Sequence, residues 1–182
     1  MRLTWLLVVP FFLLANPSRG LLVVGCVISV AGLVLRAAAA GSIHKNQALA
    51  LGGPYAYLRH PLYLGSFLVG LGLFLAAGRW FLPPVFMGLF FWVYGRTVRT
   101  EARTLELLFG EAYRHYRSQV SAFLPRLRPY RPPGTSGPPR GTDTVSFAGF
   151  RFRLFLRNKE WRAILGTAGC FGLLWAKAVF LV

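Results

Sequence analysis

The chain has 182 residues, 55% of them hydrophobic, with 21 Lys and Arg against 5 Asp and Glu. Only 14% of residues are charged, against about 25% in ordinary soluble domains, and the basic ones lie between long apolar runs nearly free of charge. That distribution excludes a basic nucleic-acid module, which needs its positive residues on a soluble face with a core beneath. It points instead to a membrane protein whose positive residues meet anionic headgroups.

The first apolar run, Leu3–Ala15, closes at Asn16-Pro17-Ser18-Arg19-Gly20. It is short against the roughly 20 residues that cross a bilayer, and Met1-Arg2 before it also suits a signal peptide. A second run, Leu21–Leu35, follows at once, so the two read as a helical hairpin. Arg36 to His60 is an amphiphilic connection. A third span from Leu62 to Ala77, a turn at Gly78-Arg79-Trp80 and a fourth span from Phe81 to Tyr94 come next. Arg96–Tyr116 is polar but keeps helical spacing at Val98, Leu105, Leu108 and Phe109. Arg126–Gly141, rich in Pro, Arg and Gly, is an expected linker. Arg151–Arg162 is basic and amphiphilic, suited to a membrane surface, and Ala163–Val182 is a last apolar segment.

The fold class expected is all-α: a polytopic transmembrane protein of about five spans, with a cytoplasmic cofactor-binding helix after the fourth. Three parts follow: a membrane core over 1–125, a basic linker and surface segment over 126–160, and an extra carboxyl-terminal span over 161–182. Placing the amino terminus, the 36–60 connection and the 96–162 region on one side leaves only Arg19, Arg79 and Lys177 elsewhere. The positive-inside rule makes that side cytoplasmic. Lys177, inside the last span, is expected to snorkel to the outer interface. Cys26 and Cys170 both sit in apolar segments with no ligand spacing, so no metal site or disulfide framework is expected.

Two stretches carry chemistry-bearing residues. In Gly53-Pro54-Tyr55-Ala56-Tyr57-Leu58-Arg59-His60-Pro61-Leu62-Tyr63-Leu64-Gly65, a Gly-Pro turn leads to Arg59 and His60 at a helix start, with Pro61 in the first turn. A helix amino terminus beside a guanidinium favours an anionic group; the same residues also suit an ordinary interfacial anchor, Arg on lipid phosphate and tyrosines in an aromatic belt. The second stretch runs from Arg96 through Arg99, Glu101 and Glu106 to Phe109-Gly110, then Glu111, Tyr113 and Tyr116. Glu101, nearest the membrane exit, is the candidate carboxylate, with Arg96 expected on the same helix face. Glu106 and Glu111 read as solvated.

These two stretches, in this order and separated by a hydrophobic hairpin, resemble the isoprenylcysteine carboxyl methyltransferases and their phospholipid methyltransferase relatives. The resemblance covers about Arg36 to Pro125, including Gly41-Ser42-Ile43-His44-Lys45-Asn46 and the closing Val120 and Phe123-Leu124-Pro125. It implies S-adenosylmethionine as cofactor, bound by His60, Tyr63 and Arg59 with the Gly53, Tyr55 and Tyr57 turn. Glu101, with Arg96 or Arg99, would hold the acceptor or the cofactor's amino-acid end. Its implied partners are the bilayer and a lipophilic acceptor, and the implied location is a bacterial inner membrane with the active site facing the cytoplasm. The family's paired glutamates read Glu101-Ala102 here, which leaves the acceptor open. Two other readings stand beside this one: a nicotinamide-dependent membrane reductase of similar helical architecture, and a non-catalytic scaffold. The strict Gly-x-Gly-x-x-Gly fingerprint of dinucleotide sites is absent.

Overall fold

A computed structural model describes residues 9–42, 49–132, 145–146 and 152–180. The parts of the sequence reading that fall on 3–8, on Ile43–Asn46, on the linker from 133 onward and on Arg151 lie outside the described residues. The chain is mostly helical. α1, described over residues 9–14, is followed by α2 (Arg19–Ala40), a two-residue strand β1 (Leu49–Ala50) and a 3₁₀ turn (Gly53–Ala56). Then come α3 (Pro61–Ala76), α4 (Leu82–Gln119), β2 (Val145–Ser146), α5 (Phe152–Arg157) and α6 (Trp161–Phe180). β1 and β2 pair in parallel, Leu49 with Val145 and Ala50 with Ser146, a small addition to the all-α expectation.

α2 and α6 are long and apolar enough to cross a membrane; α3, at 16 residues, is apolar but shorter. The apolar window of α2 is only 22% buried and that of α6 only 11%, so neither is the core helix of a water-soluble domain. On α2 the exposed face is a valine stripe, Val23, Val27, Val30 and Val34, at helical spacing. The fourth span and the polar helix expected after it are one continuous element, α4. It is interrupted only at Gly110, whose φ of 51° and ψ of −124° are not helical. A residue without Cβ takes that conformation at little cost, and it separates 82–109 from 111–119.

The chain divides into two compact units. The first comprises Met1–Leu33, Ser66–Trp92 and Arg162–Val182. Its helices meet through small residues: a Cβ on Gly25 would overlap the Gly72 carbonyl, and one on Gly72 would overlap the Gly25 carbonyl and the Ser29 hydroxyl. Such close backbone approach is how helices associate where lipid supplies no hydrophobic drive. Ser29 Oγ donates to the Val69 carbonyl at 3.1 Å. Phe86 stacks on Phe74, ring centroids 4.8 Å apart, and sits where Gly70 lacks a side chain. Lys177 is not left to snorkel: its Nζ donates to the carbonyls of Phe12 at 2.7 Å and Leu13 at 3.0 Å. Arg79 Nε donates to Leu14 at 2.9 Å. These two cations satisfy carbonyls at the end of α1 that have no partner within the helix, where positive charge is also favoured.

The second unit comprises Val34–Gly65 and Val93–Trp161. Its core gathers Leu49, Leu51, Ala102, Tyr113, Tyr116, Val120 and Tyr130, with Leu105 and Phe109 against it. A smaller cluster of Ala39, Ala50 and Tyr55 packs with Leu62.

Candidate active site

The site residues lie in the second unit. Gly53 opens the 3₁₀ turn with φ +58°, and a Cβ there would sit 2.9 Å from Ser42 Oγ, so the turn fits only with glycine against the end of α2. The turn is held mostly by backbone from later in the chain. Arg59 N–H donates to Ser121 O at 3.0 Å and His60 N–H to Ala122 O at 3.3 Å. Arg126 N–H donates to Tyr57 O at 3.0 Å and Tyr130 N–H to Ala56 O at 2.8 Å. The Tyr116 hydroxyl donates to Tyr55 O at 2.7 Å. Burial, and then the nearby Glu101 charge, push the Tyr55 phenol well above its ordinary range; burial does the same to Tyr116. Both stay protonated donors at any physiological pH.

His60 is 5% exposed and is followed by Pro61, which starts α3 where its missing N–H costs nothing. Its imidazole stacks on Tyr63, centroids 5.5 Å apart, and lies beside Phe123 at 6.1 Å. Tyr94 closes on Tyr63 edge-to-face at 5.1 Å. Glu101 reaches this group from α4: Oε2 lies 3.6 Å from His60 Nδ1, and the carboxylate is close enough to act on the Tyr63 phenol. Burial, and then the Arg59 charge, lower the His60 pKa to about 4. At neutral pH the imidazole is therefore uncharged. At 3.6 Å its contact with Glu101 is neither an ion pair nor a hydrogen bond.

Four buried polar atoms have no hydrogen-bond partner among the described residues: Arg59 Nε, His60 Nε2, Glu101 Oε2 and Tyr113 Oη. Unsatisfied buried polar atoms are costly and uncommon, and each calls for an explanation. Of the residues singled out from sequence, His60, Tyr63, Glu101 and Tyr55 come together, with Arg59 next to His60. Tyr57, 39% exposed, and Gly53 shape the turn rather than the buried group. Arg96 and Arg99 are exposed. Five residues along an α-helix rotate by roughly 140°, so Arg96 leaves α4 on a different side from Glu101, and the expected shared face is corrected. Tyr113, Tyr94 and Phe123 were not among the expected site residues. For Tyr113 the signal was there in its Tyr-x-x-Tyr spacing to Tyr116 after Gly110. Ala102 lies in the core cluster with Tyr113 and Tyr116, so a glutamate at this position would bury a charge among apolar side chains.

Residues 20–112, just over half of the chain, match the family model described as phospholipid methyltransferase. The chain belongs to the phospholipid methyltransferase family. The match takes in both site stretches up to the residue before Tyr113. Among its relatives, protein-S-isoprenylcysteine O-methyltransferase of Schizosaccharomyces pombe is 33% identical over 85 residues, 46% of this chain and 36% of that protein. The cobalt-zinc-cadmium resistance protein CzcN of Cupriavidus metallidurans is 38% identical over 87 residues, 48% of this chain and 40% of that protein. The matched region thus spans two fifths or less of either relative. No solved structure matches. Among the described residues, no group of three or more His, Cys, Asp and Glu is placed to hold a metal ion.

Proposed function

We propose that this phospholipid methyltransferase family member is an integral membrane enzyme that takes S-adenosylmethionine at the buried polar group of Arg59, His60, Tyr63, Glu101 and Tyr113. The acceptor is a lipid or another membrane-soluble molecule. The observation that carries this reading is the set of four unpartnered buried atoms. A guanidinium N–H is a donor for a carboxylate, a carboxylate oxygen is an acceptor for an ammonium, and the imidazole nitrogen and phenol serve either. That donor and acceptor set fits the amino-acid end of the cofactor. When bound, S-adenosylmethionine supplies an electrophilic methyl group on a sulfonium.

The chain's own residues bind and orient. Arg59 and Glu101 supply opposite charges, and the packed rings of His60, Tyr63 and Tyr94 keep water from the group. Methyl displacement depends on alignment more than on proton transfer. With a pKa near 4, His60 is a poor acceptor of a proton at neutral pH, so a carboxylate acceptor, already nucleophilic, suits the site better than an amine or thiol. The exposed apolar faces of α2 and α6 suit lipid as their surroundings, and the distribution of basic residues supports a site on the cytoplasmic side. Residues 1–125 form the catalytic core in this reading, 126–160 a basic surface segment and 161–182 a further span.

Calorimetry on the detergent-purified protein tests the cofactor. Binding of S-adenosylmethionine without NADPH is expected; NADPH binding alone would make the chain a reductase, and neither would leave a scaffold. Glu101→Ala should lower transfer of labelled methyl by on the order of 100-fold in a protein that stays folded. Wild-type turnover in that variant would remove Glu101 from the site.

A further inference from the structure

Glu160 lies 48 residues beyond the family match, in the segment between α5 and α6 that the sequence reading treats as surface. In the structure it is buried, 9% exposed, and paired with Arg36 on α2. The pair is a fork: Arg36 Nε donates to Glu160 Oε2 at 3.0 Å and Nη2 to Oε1 at 3.0 Å. Two residues earlier, Asn158 Nδ2 donates to the Ala40 carbonyl at 2.8 Å, one of the carbonyls that the end of α2 leaves without a helical partner. Lys159 between them takes φ 57°, rare for a residue with a side chain, so the backbone is bent to bring both side chains to the same helix end.

What this helix end touches is the turn. Ala39 packs on Tyr55, Ser42 Oγ donates to Ala38 O at 2.9 Å, and Ser42 fills the space beside Gly53. Glu160 is also close enough to Tyr55 for its charge to act on the phenol. We infer that Glu160 and Asn158 are positioning residues of the S-adenosylmethionine site. They hold the end of α2 against the Gly53–Ala56 turn, so that the segment after the family region completes the site. This rests on the proposed function for its ligand, though not for its geometry. A bidentate, largely desolvated Arg–carboxylate pair fixes orientation more strongly than an exposed one, which suits it to a clamp.

The test uses the full chain in detergent micelles with Glu160→Gln, Arg36→Glu, Glu160→Arg and the swapped pair Arg36→Glu/Glu160→Arg. Two readouts are taken: the Kd for S-adenosylmethionine, and hydrogen exchange of the Tyr55, Tyr57 and Leu58 amides, which are bonded within the turn. Each single variant should weaken binding by about tenfold, within the range usual for coupling between separate groups, and speed exchange in the turn while α6 exchanges as in wild type. The swapped pair should recover most of both. Wild-type affinity and exchange in Glu160→Gln would overturn the clamp, as would a swapped pair no better than the singles. If the charge variants do not fold, Asn158→Ala, which removes one hydrogen bond, should show the same two changes more weakly, and none would likewise overturn the proposal. If the wild type binds no S-adenosylmethionine, the functional reading fails, and the exchange measurement alone decides the clamp.

Discussion

The two units of this chain solve opposite problems with the same helices. α2, α3 and α4 each contribute to both. In the first unit they carry glycines and phenylalanines, expose valines and leucines, and bury almost nothing that is charged. In the second the same chain buries an imidazole, half-buries the Glu101 carboxylate and leaves four polar atoms without a partner among the described residues. In the first unit specificity comes from shape, since small residues let backbones meet. In the second it comes from satisfying polar groups, most of them by backbone from residues 121–130. A substitution should therefore act by steric overlap in one and by lost or unpaired hydrogen bonds in the other.

The largest effect is expected where shape is least forgiving. Gly72→Val in α3 places its branched side chain against the Gly25 carbonyl and the Ser29 backbone and hydroxyl. Overpacking of a core generally costs about 1–3 kcal/mol; here the opposing atoms are mainly backbone, which cannot rotate away, so the cost should reach or pass the top of that range. The expected outcome is a protein that no longer extracts as a monodisperse peak on size exclusion. A well-behaved variant with wild-type stability would show that the glycine contact is not a close one.

Acid should separate the units in the other direction. His60 has its pKa lowered from 6.5 to about 4 in the folded protein, so between these values the unfolded chain binds a proton that the folded one does not. Stability then falls as pH drops from 6.5 through 4, and is unaffected by this group above 6.5. The displacement corresponds to on the order of 3 kcal/mol. Denaturant titrations at pH 7.5 and 4.5 should show this loss, and His60→Asn should flatten most of the dependence. An acid sensitivity that persists in His60→Asn would move the cause to the carboxylates.

Much of this architecture was legible in the sequence, and the exceptions have physical causes. Hydrophobic periodicity marked α2, α3 and α6 within a few residues, because long apolar runs have few alternative fates. The family resemblance, not periodicity, implied a shared site for Glu101 and His60, and the structure brings them within 3.6 Å. The sequence reading failed where a contact depends on rotation or on distant chain. Arg96 was assigned to the face of Glu101 on spacing, yet five residues is the wrong count for a shared face. Lys177 and Arg79 looked like outliers of the positive-inside pattern, when both serve the carbonyl end of α1. Glu160 read as surface because its partner, Arg36, is 124 positions away. Tyr113 stood in the second stretch without a role assigned to it; it is core at 1% exposed, and only the unpartnered hydroxyl marks it as more.

The smallest of the expected effects is also the most diagnostic for the polar unit. Tyr116 packs its ring on Tyr130, centroids 5.2 Å apart, while its hydroxyl reaches the Tyr55 carbonyl across 61 positions of sequence. Tyr116→Phe keeps the ring and the packing and deletes one oxygen, leaving the buried carbonyl of the turn without that donor. Such a loss costs roughly 1–3 kcal/mol, spent on the turn rather than on the apolar core. The expected result is a modest fall in denaturant midpoint together with weaker S-adenosylmethionine binding, and unchanged elution on size exclusion. Loss of stability with unaltered binding would mean that the hydroxyl supports the fold alone. The turn would then be held in place by the backbone bonds from Ser121, Ala122, Arg126 and Tyr130, which no side-chain substitution removes.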